Sequence, residues 1–261
     1  MENYIDQNRD SWNKRAEIHF DSEFYDVKGF LEGKSSLNAI ELGLLGDIKG
    51  KSILHLQCHF GQDSLSLARL GAKVTGADFS DKAIDLAREL NEKLQLDAEF
   101  ICCDLYDLSR QLDKKFDLVF TSYGTIGWLP DLENWAAIVS HFLKPSGKFV
   151  FVEFHPFMWM YDDDFKQVEY RYFNSAAIET FENSYAETNS EKENFISWNH
   201  GLGEVVNSLV KNGLQISALE EYDYSPYNCF NHTEEFEPGK FQIKHLGNKI
   251  PMVYSIVAEK L

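Results

Sequence analysis

The stretch ILHLQCHFGQDSLSLARLGAKVTGAD (residues 53–78) contains the pattern of a strand, a tight loop, a helix and a second strand. An apolar run at 53–56 leads into the loop 57–61, and leucines and alanine then follow at helical spacing. The second apolar run, 74–77, ends on the carboxylate of Asp78. This order is typical of the nucleotide-binding half of a doubly wound α/β fold. A carboxylate at that strand end can accept hydrogen bonds from both hydroxyls of a ribose.

Helical and strand patterns continue to alternate after Asp78. The sequence predicts helices over 81–94, 106–112, 132–143 and 202–211, and strands over 98–103, 116–120, 148–153, 214–220 and 252–259. Such alternation predicts a mostly parallel sheet. The last two strands are expected to add an antiparallel hairpin. The predicted fold class is therefore α/β, with a doubly wound, seven-stranded sheet whose last strand is antiparallel.

Two segments interrupt the alternation, and we interpret them as insertions in a single domain spanning 1–261. Residues 155–199 are rich in aromatic side chains with acids between them, and EYRYF within this segment alternates like a strand. Residues 222–250 form the second insertion. We expect residues 1–35, a helical N-terminal segment, to close over the site together with 155–199, because both could act as lids that exclude water.

The formal net charge of −17 argues against nucleic acid and anionic membranes as partners, because binding them requires a basic surface. The acidic excess is concentrated in residues 157–238, which favours a cationic or neutral small-molecule partner or is simply a solvated acidic surface. No apolar run approaches the roughly 20 residues of a membrane-spanning helix. The polar N-terminus also lacks the apolar core of a signal peptide. We therefore expect a soluble, cytoplasmic protein.

Cysteine and histidine spacing does not predict a metal site. No two of the four cysteines are separated by the gap of a zinc knuckle. The histidines at 19, 200, 232 and 245 are scattered along the sequence. We expect free thiols in a reducing compartment. The sequence indicates nothing about the oligomeric state.

The chain resembles class I S-adenosylmethionine-dependent methyltransferases over residues 35–155 and 201–261. The matching segments, in chain order, are ILHLQCHFG, VTGADFS, ICCDLYDL, FDLVFTSYG and LKPSGKFVFVE. The longer stretch LHLQCHFGQDSLSLARLGA is similar to a bacterial subgroup of these enzymes. The resemblance implies a Rossmann-like fold, S-adenosyl-L-methionine as the cofactor, and in-line methyl transfer to a small-molecule acceptor.

The first loop departs from the family's pattern, acid-x-Gly-x-Gly-x-Gly. That pattern maps onto His55, Gln57, His59 and Gly61, so only the last glycine is kept. The replacements affect how closely the backbone at Gln57 and His59 can approach the methionine moiety. A nucleoside sulfonium needs less room than a pyrophosphate, so the loss of glycine is more compatible with this cofactor than with a dinucleotide.

The resemblance implies a set of cofactor-binding residues: Gln57, Cys58, His59, Gly61, Asp78, Phe79, Asp104, Leu105 and Ser122. In this set Asp78 would bind the ribose hydroxyls, Phe79 would lie against the adenine, and Asp104 would accept from the adenine amine. Both acids have an alternative role, because a carboxylate at a strand end can also stabilise the N-terminus of the following helix. Cys58 has the alternative of a small packing residue.

Tyr123 and His155 are the candidate catalytic residues. Tyr123 follows the fourth strand, close to the expected position of the methyl group, and His155 leaves the fifth strand in EFHP. A general base is needed only if the acceptor is protonated. Tyr25 and Trp128 are candidate substrate residues, either as aromatic walls that use cation–π attraction or as packing beneath an insertion.

Two other functions remain open from the sequence. An NAD(P)-dependent oxidoreductase would use Asp78 in the same way, although the loop lacks the glycines that seat a pyrophosphate. A cofactor-binding protein without transferase activity would also be consistent with the altered loop.

Overall fold

The computed structural model describes residues 4–187 and 190–261, so positions 1–3 and 188–189 of the two expected lids lie outside the described residues. The helices are α1 (Tyr4–Asp21), α2 (Val27–Leu31), α3 (Ala39–Leu45), α4 (Gln62–Arg69), α5 (Asp81–Lys93), α6 (Leu108–Gln111), α7 (Leu132–Phe142) and α8 (Leu202–Lys211). The strands are β1 (Ser52–Leu56), β2 (Lys73–Asp78), β3 (Glu99–Cys102), β4 (Phe116–Ser122), β5 (Leu143–Phe154), β6 (Ile178–Glu182), β7 (Glu193–Ser197), β8 (Leu214–Tyr222), β9 (Thr233–Glu237), β10 (Lys240–Ile243) and β11 (Val253–Lys260).

Seven of these strands form one sheet in the order β3-β2-β1-β4-β5-β11-β8. The five strands from β3 to β5 pair in parallel, whereas β11 is antiparallel to both β5 and β8. The predicted α/β class, the seven strands and the antiparallel last strand are confirmed. The chain winds outward from β1 to β3, then crosses to β4, so the crevice beside β1 and β4 is the switch point at which α/β proteins bind ligands.

The central strands are apolar along their whole length because helices cover both faces of the sheet. Residues 149–152 of β5 are fully buried, and the ring of Trp135 from α7 packs 5.4 Å from that of Phe151. The helix α5 begins where the sequence places a cap, since the Ser80 hydroxyl accepts a hydrogen bond from the Ala83 N–H. Burial of these apolar faces holds the carboxyl ends of the strands in a fixed array.

Three local predictions differ from the structure. EYRYF (169–173) is not a strand; the strands of this insertion are β6 and β7, which pair as an antiparallel hairpin. The predicted turn at 145–147 lies within β5 as a register irregularity, where Ser146 adopts a left-handed φ of 58°. The predicted helix 106–112 divides into a 3₁₀ turn and α6. Alternation of side chains indicated β structure in the insertion 155–199 but not which residues pair, and the strands β9 and β10 of the insertion 222–250 were not predicted.

The N-terminal helix and the β6–β7 hairpin pack against each other. The Asn8 side chain donates to the Ile196 carbonyl and accepts from the Ile196 N–H, both at 2.8 Å, so one amide continues the edge of β7. Lys14 forms an ion pair with Glu193 at 2.9 Å. On the other side of α1, the Asn13 side chain donates a hydrogen bond to the Asp81 carboxylate at 2.8 Å. The helix therefore joins the hairpin to the first turn of α5.

No helix among residues 4–187 and 190–261 is both long and apolar enough to cross a membrane.

Candidate active site

The first loop keeps the backbone shape of a glycine loop although two glycines are replaced. Gln57, His59 and Gly61 have φ values of 53°, 51° and 78°, all in the left-handed region. These are the three positions onto which the family's glycines map. A left-handed backbone costs a residue with a side chain about 1–2 kcal/mol. The chain therefore holds the first two residues in strain, which other contacts of the loop must offset.

Those contacts come from both ends of the loop. The Gln57 side-chain amide donates to the Thr125 carbonyl at 2.8 Å, which ties the loop to the segment after β4. The His59 N–H donates to the Asp78 carboxylate at 2.8 Å. The His59 ring packs 4.4 Å from Phe60 and 5.3 Å from Trp12. Burial lowers the pKa of His59 to about 3, so its imidazole is neutral at physiological pH.

Position 61 requires glycine because of close packing as well as a left-handed backbone conformation. A Cβ at this position would lie 2.8 Å from the Phe100 ring and 3.0 Å from the Ala87 Cβ. Its neighbour Cys58 is buried with its sulfur against Gly76, and burial raises the pKa of its thiol. Cys58 therefore packs beneath the loop as a neutral thiol.

Asp78 lies at the end of β2 with both carboxylate oxygens in use. One oxygen accepts from the His59 N–H at 2.8 Å and the other from the Ser80 N–H at 2.9 Å. A carboxylate offers about four lone-pair positions, so each oxygen can accept one more donor. Desolvation raises the pKa of Asp78 to about 6 in spite of these hydrogen bonds. The arrangement suits a neutral diol such as a ribose.

The residues expected around the adenine separate into two groups. Phe79 lines the cavity described below. Asp104 instead caps the following 3₁₀ turn, accepting from the Tyr106 N–H at 2.7 Å, and desolvation raises its pKa. Leu105 is buried in the core. Neither Asp104 nor Leu105 is part of the cavity wall, although Asp104 follows β3, the strand beside β2.

A cavity of about 970 Å³ opens from the first loop toward α1 and the β6–β7 hairpin. Its wall is largely aromatic and includes Trp12, Tyr25, Trp128, Phe154, Trp159, Tyr185, Trp198, Tyr227 and Phe230. The volume is at the upper end of the roughly 300–1,000 Å³ of small-molecule sites.

Both expected substrate residues, Tyr25 and Trp128, line this cavity. Tyr25 packs 5.0 Å from His19 and bonds through its hydroxyl to that of Tyr185. The Trp128 indole donates to the Gly124 carbonyl at 2.8 Å, and its ring lies 5.1 Å from that of Trp12. These contacts fix the rings before any ligand enters.

Ser122 and Tyr123 follow β4 and also line the cavity. The Ser122 hydroxyl donates to Asp63 at 3.2 Å, and the Tyr123 hydroxyl donates to Glu41 at 3.0 Å. Desolvation, followed by the charge of Glu41, raises the pKa of Tyr123 well above its ordinary value. Tyr123 is therefore a neutral phenol that donates its hydrogen bond to Glu41 and cannot act as a base.

His155 is not part of the cavity wall, unlike its neighbours Phe154 and Pro156. Its ring lies between β5 and the sheet edge, with Nε2 2.9 Å from the Glu221 carboxylate and Nδ1 accepting from the Phe157 N–H at 3.1 Å. Successive side chains of a strand point to opposite faces, so a position at the strand end does not fix where the side chain points. The structure does not bring His155 together with the other candidate residues.

Glu153 is a residue of the cavity wall that the sequence analysis missed. Its buried carboxylate accepts from the N–H groups of Gly124, Thr125 and Ile126, and from the Thr125 hydroxyl. The Glu153 carboxylate thereby stabilises the loop that contains Trp128, and the same loop accepts a hydrogen bond from Gln57. The only sequence signal was an acid in an otherwise apolar strand.

Trp12 and Arg15 of α1 were also missed. Both line the cavity, and each has a buried nitrogen without a hydrogen-bond partner, Trp12 Nε1 and Arg15 Nη2. The only signal was their spacing of three residues on one helix, which places them on the same face.

The unpartnered polar atoms fit the expected cofactor. Around the first loop, Trp12 Nε1, His19 Nδ1, Gln57 Oε1 and His59 Nε2 are buried without partners. The methionine end of S-adenosylmethionine carries an ammonium, which needs acceptors such as Gln57 Oε1, and a carboxylate, which needs donors such as Trp12 Nε1. Buried polar groups are rarely left unpaired, so their concentration around the first loop is consistent with a polar ligand there.

No cluster of three or more histidine, cysteine or acidic side chains that could hold a metal ion occurs within 4–187 and 190–261.

Comparisons with known proteins relate part of the chain to methyltransferases. Residues 53–147 match the family model of a methyltransferase domain. A ubiquinone biosynthesis O-methyltransferase of Coxiella burnetii is 34% identical over 104 residues, which are 40% of this chain and 44% of that protein. An uncharacterized protein of Haemophilus influenzae is 26% identical over 235 residues, 80% of this chain and 87% of that protein. The chain thus spans less than half of the length of the Coxiella relative.

The fold is shared with solved structures. The crystal structure of an S-adenosylmethionine-dependent methyltransferase from Mesorhizobium loti aligns with a TM-score of 0.59 at 19% identity, covering 88% of this chain and all of that one. Residues 53–147 thus match a methyltransferase domain, and the chain shares its fold with S-adenosylmethionine-dependent methyltransferases of known structure.

Proposed function

We propose that this chain, whose residues 53–147 form a methyltransferase domain, transfers a methyl group from S-adenosylmethionine to a small-molecule acceptor. The observation that carries the proposal is the single aromatic-walled cavity of about 970 Å³, which runs from Asp78 and the first loop to the lids. A site of this size can hold a nucleoside cofactor and a small acceptor together. Its enclosure between α1 and the β6–β7 hairpin favours a small molecule over a protein.

The cofactor would lie along the first loop. Asp78 would accept from the ribose hydroxyls, with Phe79 against the adenine and Asp104 at the outer edge of the base. Gln57 and His59 would bind the methionine end through their unpartnered side-chain atoms. Cys58 and Gly61 would contribute through the backbone shape of the loop.

When bound, the cofactor supplies an activated methyl group for in-line displacement. The chain's own residues would hold the two reactants in line and keep water out, which can lower the barrier by about 7–11 kcal/mol. Trp12, Tyr25 and Trp128 would present aromatic surfaces to the positive sulfonium. Tyr123 and Ser122 would orient the acceptor as hydrogen-bonding groups. The proposal places no step on His155, because its ring lies outside the cavity wall.

The charge of the chain supports the same partner class. A net charge of −17 is unfavourable for nucleic acid and for anionic membrane surfaces. We therefore propose a soluble, cytoplasmic enzyme that acts on neither nucleic acid nor a membrane surface.

A methyl-transfer assay tests the proposal. Purified protein is incubated with S-adenosylmethionine and a panel of phenols, catechols, thiols, amines and carboxylic acids, and formation of S-adenosylhomocysteine is followed by mass spectrometry. The wild type should form product with at least one class, and Asp78→Ala should not. Binding of S-adenosylhomocysteine without turnover of any class would favour a cofactor-binding protein. Binding of NADH alone would favour an oxidoreductase.

A further inference from the structure

Arg15 is a buried cation that interacts with the carboxylates of Glu182 and Glu193 only at longer range than an ion pair. Its side chain is 3% exposed and lies on the cavity wall. Its Nε donates weakly to the Ser11 hydroxyl at 3.4 Å, while Nη2 is buried without a partner. The guanidinium lies 4.8 Å above the Phe195 ring. In the part of the chain that the structure describes, no carboxylate forms an ion pair with it.

Such an arrangement is unfavourable in the protein alone. Removing a charge from water carries a penalty of about several kcal/mol unless an opposite charge and hydrogen bonds offset it. Desolvation lowers the pKa of Arg15, but an arginine remains protonated in proteins, so the charge cannot be lost. A ligand anion at the unpartnered Nη2 would offset this penalty.

We propose that Arg15 binds a carboxylate of the methyl acceptor. The inference rests on the proposed function and narrows the acceptor to an aromatic or otherwise apolar molecule with one carboxylate. A guanidinium matches a carboxylate because its N–H groups form a planar fork. The aromatic wall beside it would bury the apolar body of the same molecule.

The contacts of Arg15 favour the acceptor over the carboxylate of the cofactor. Arg15 stacks on Phe195 of β7 and interacts electrostatically with Tyr185 and Glu182, all in the hairpin insertion. Trp12 and His19, one helical turn before and after Arg15, both contact His59 of the first loop. Arg15 itself stacks on the β6–β7 hairpin, so its guanidinium lies on the hairpin side of the cavity.

Acidic residues on the same wall restrict the ligand further. Glu182, Asp162 and Asp163 line the cavity at its lid side, and Glu182 and Asp163 are exposed. Their charges oppose a polyanion. Arg15 can neutralise one negative charge, so the site favours a monocarboxylate over a doubly charged phosphate ester.

The test compares Arg15→Gln with Lys14→Gln. Both variants remove one positive charge from α1, but Lys14 is exposed and pairs with Glu193 rather than facing the cavity. Isothermal calorimetry first measures S-adenosylhomocysteine binding. The complexes are then titrated with benzoate, phenylacetate and 3-phenylpropionate and with the three corresponding neutral amides.

We expect the wild-type complex to bind at least one carboxylate about tenfold or more tightly than its amide, as for a charged hydrogen bond. Arg15→Gln should abolish that preference and leave S-adenosylhomocysteine affinity unchanged, whereas Lys14→Gln should resemble the wild type. Arg15→Lys, which keeps the charge, should restore part of the preference and covers the case in which Arg15→Gln does not fold.

Two results would overturn the inference. Equal binding of carboxylates and amides by the wild-type complex would show that no anion is recognised. A loss of S-adenosylhomocysteine affinity in Arg15→Gln, with the carboxylate preference intact, would assign Arg15 to the cofactor. Failure of wild-type protein to bind S-adenosylhomocysteine at all would instead contradict the proposed function.

Discussion

Single residues of the first loop determine whether the cofactor site exists. Gln57 and His59 adopt left-handed backbone conformations that glycine would adopt without strain, and their side chains add polar atoms that glycine could not provide. The two replacements therefore strain the backbone of the loop but add side-chain atoms that can bind a ligand. Gly61 could not be replaced in the same way, because Phe100 occupies the space that a Cβ would need.

Gly61→Ala should destabilise the protein by more than Gly213→Ala. The two glycines have similar φ values, 78° and 75°, so the backbone strain is matched. Only at Gly61 would the new Cβ meet other atoms, and overpacking adds about 1–3 kcal/mol. Denaturant unfolding of both variants measures the difference. Equal losses of unfolding free energy would show that the packing around Gly61 is not tight.

Cofactor affinity should depend on the protonation of Asp78. Its pKa is raised to about 6, so lowering the pH through 6 converts the acceptor carboxylate to a carboxylic acid and weakens binding of S-adenosylhomocysteine. Calorimetry between pH 5 and 8 measures this change. Asp78→Asn should bind more weakly throughout, by about 10-fold or more, and lose the pH dependence. A pH-independent wild type would contradict the role of Asp78.

The same pKa has an opposite consequence for stability. Folded Asp78 binds its proton more tightly than an unfolded aspartate with a pKa of 3.8. The folded state is therefore favoured by low pH at this residue, and its contribution to the free energy of unfolding declines as the pH rises from about 4 to about 6. The residue thus favours cofactor binding in the pH range where it no longer favours folding.

At the scale of elements, the loop after β4 depends on the end of β5. The Glu153 carboxylate accepts hydrogen bonds from three backbone N–H groups of that loop. The Thr125 carbonyl of the same loop accepts a hydrogen bond from the Gln57 side chain. His155, two residues further, contacts Glu221 at the edge of the sheet. Glu153 therefore stabilises the loop after β4, whereas His155 contacts the edge of the sheet.

Glu153→Gln and His155→Gln should have different effects. Replacing the buried acceptor of several N–H groups should lower the free energy of unfolding by about 1.5–3 kcal/mol and weaken S-adenosylhomocysteine binding. His155→Gln should leave that affinity unchanged, because its ring is outside the cavity wall. Thermal denaturation and calorimetry of both variants provide the comparison. Loss of turnover in His155→Gln with normal cofactor binding would restore His155 as a candidate base.

The N-terminal helix and the β6–β7 hairpin should open together. Asn8→Ala removes both hydrogen bonds to the Ile196 backbone, which should increase amide exchange in α1 and β7. Lys14→Gln, which breaks only an exposed ion pair between the same elements, should change exchange little. Hydrogen–deuterium exchange by mass spectrometry measures both variants. Unchanged exchange in Asn8→Ala would show that the two lids move independently.

At the scale of the whole molecule, the sequence was sufficient for the sheet but not for the enclosure of the site. Apolar runs such as 53–56 and the strand-end Asp78 carry local signals, so the strands, their mostly parallel arrangement and the position of the first loop could be predicted from general rules. The wall of the cavity depends on contacts between distant segments. Arg15 and Phe195 are 180 positions apart, and neither has a neighbour in sequence that indicates the other.

Cofactor binding should stabilise the whole fold. At a concentration about 100 times its dissociation constant, S-adenosylhomocysteine should add about 2.7 kcal/mol to the free energy of unfolding. For a chain of this size that corresponds to a rise in Tm of about 5–10 °C. Thermal denaturation with and without the compound measures the shift. No shift at saturation would mean that the ligand does not bind the folded state selectively.

The most direct test of the cavity as a nucleoside–sulfonium site is calorimetric titration of the wild type with S-adenosylhomocysteine, with NADH and NADPH in parallel. The geometry of the first loop and Asp78 predicts one-to-one binding of S-adenosylhomocysteine and no heat from either dinucleotide. Binding of a dinucleotide without binding of S-adenosylhomocysteine would contradict the proposed function.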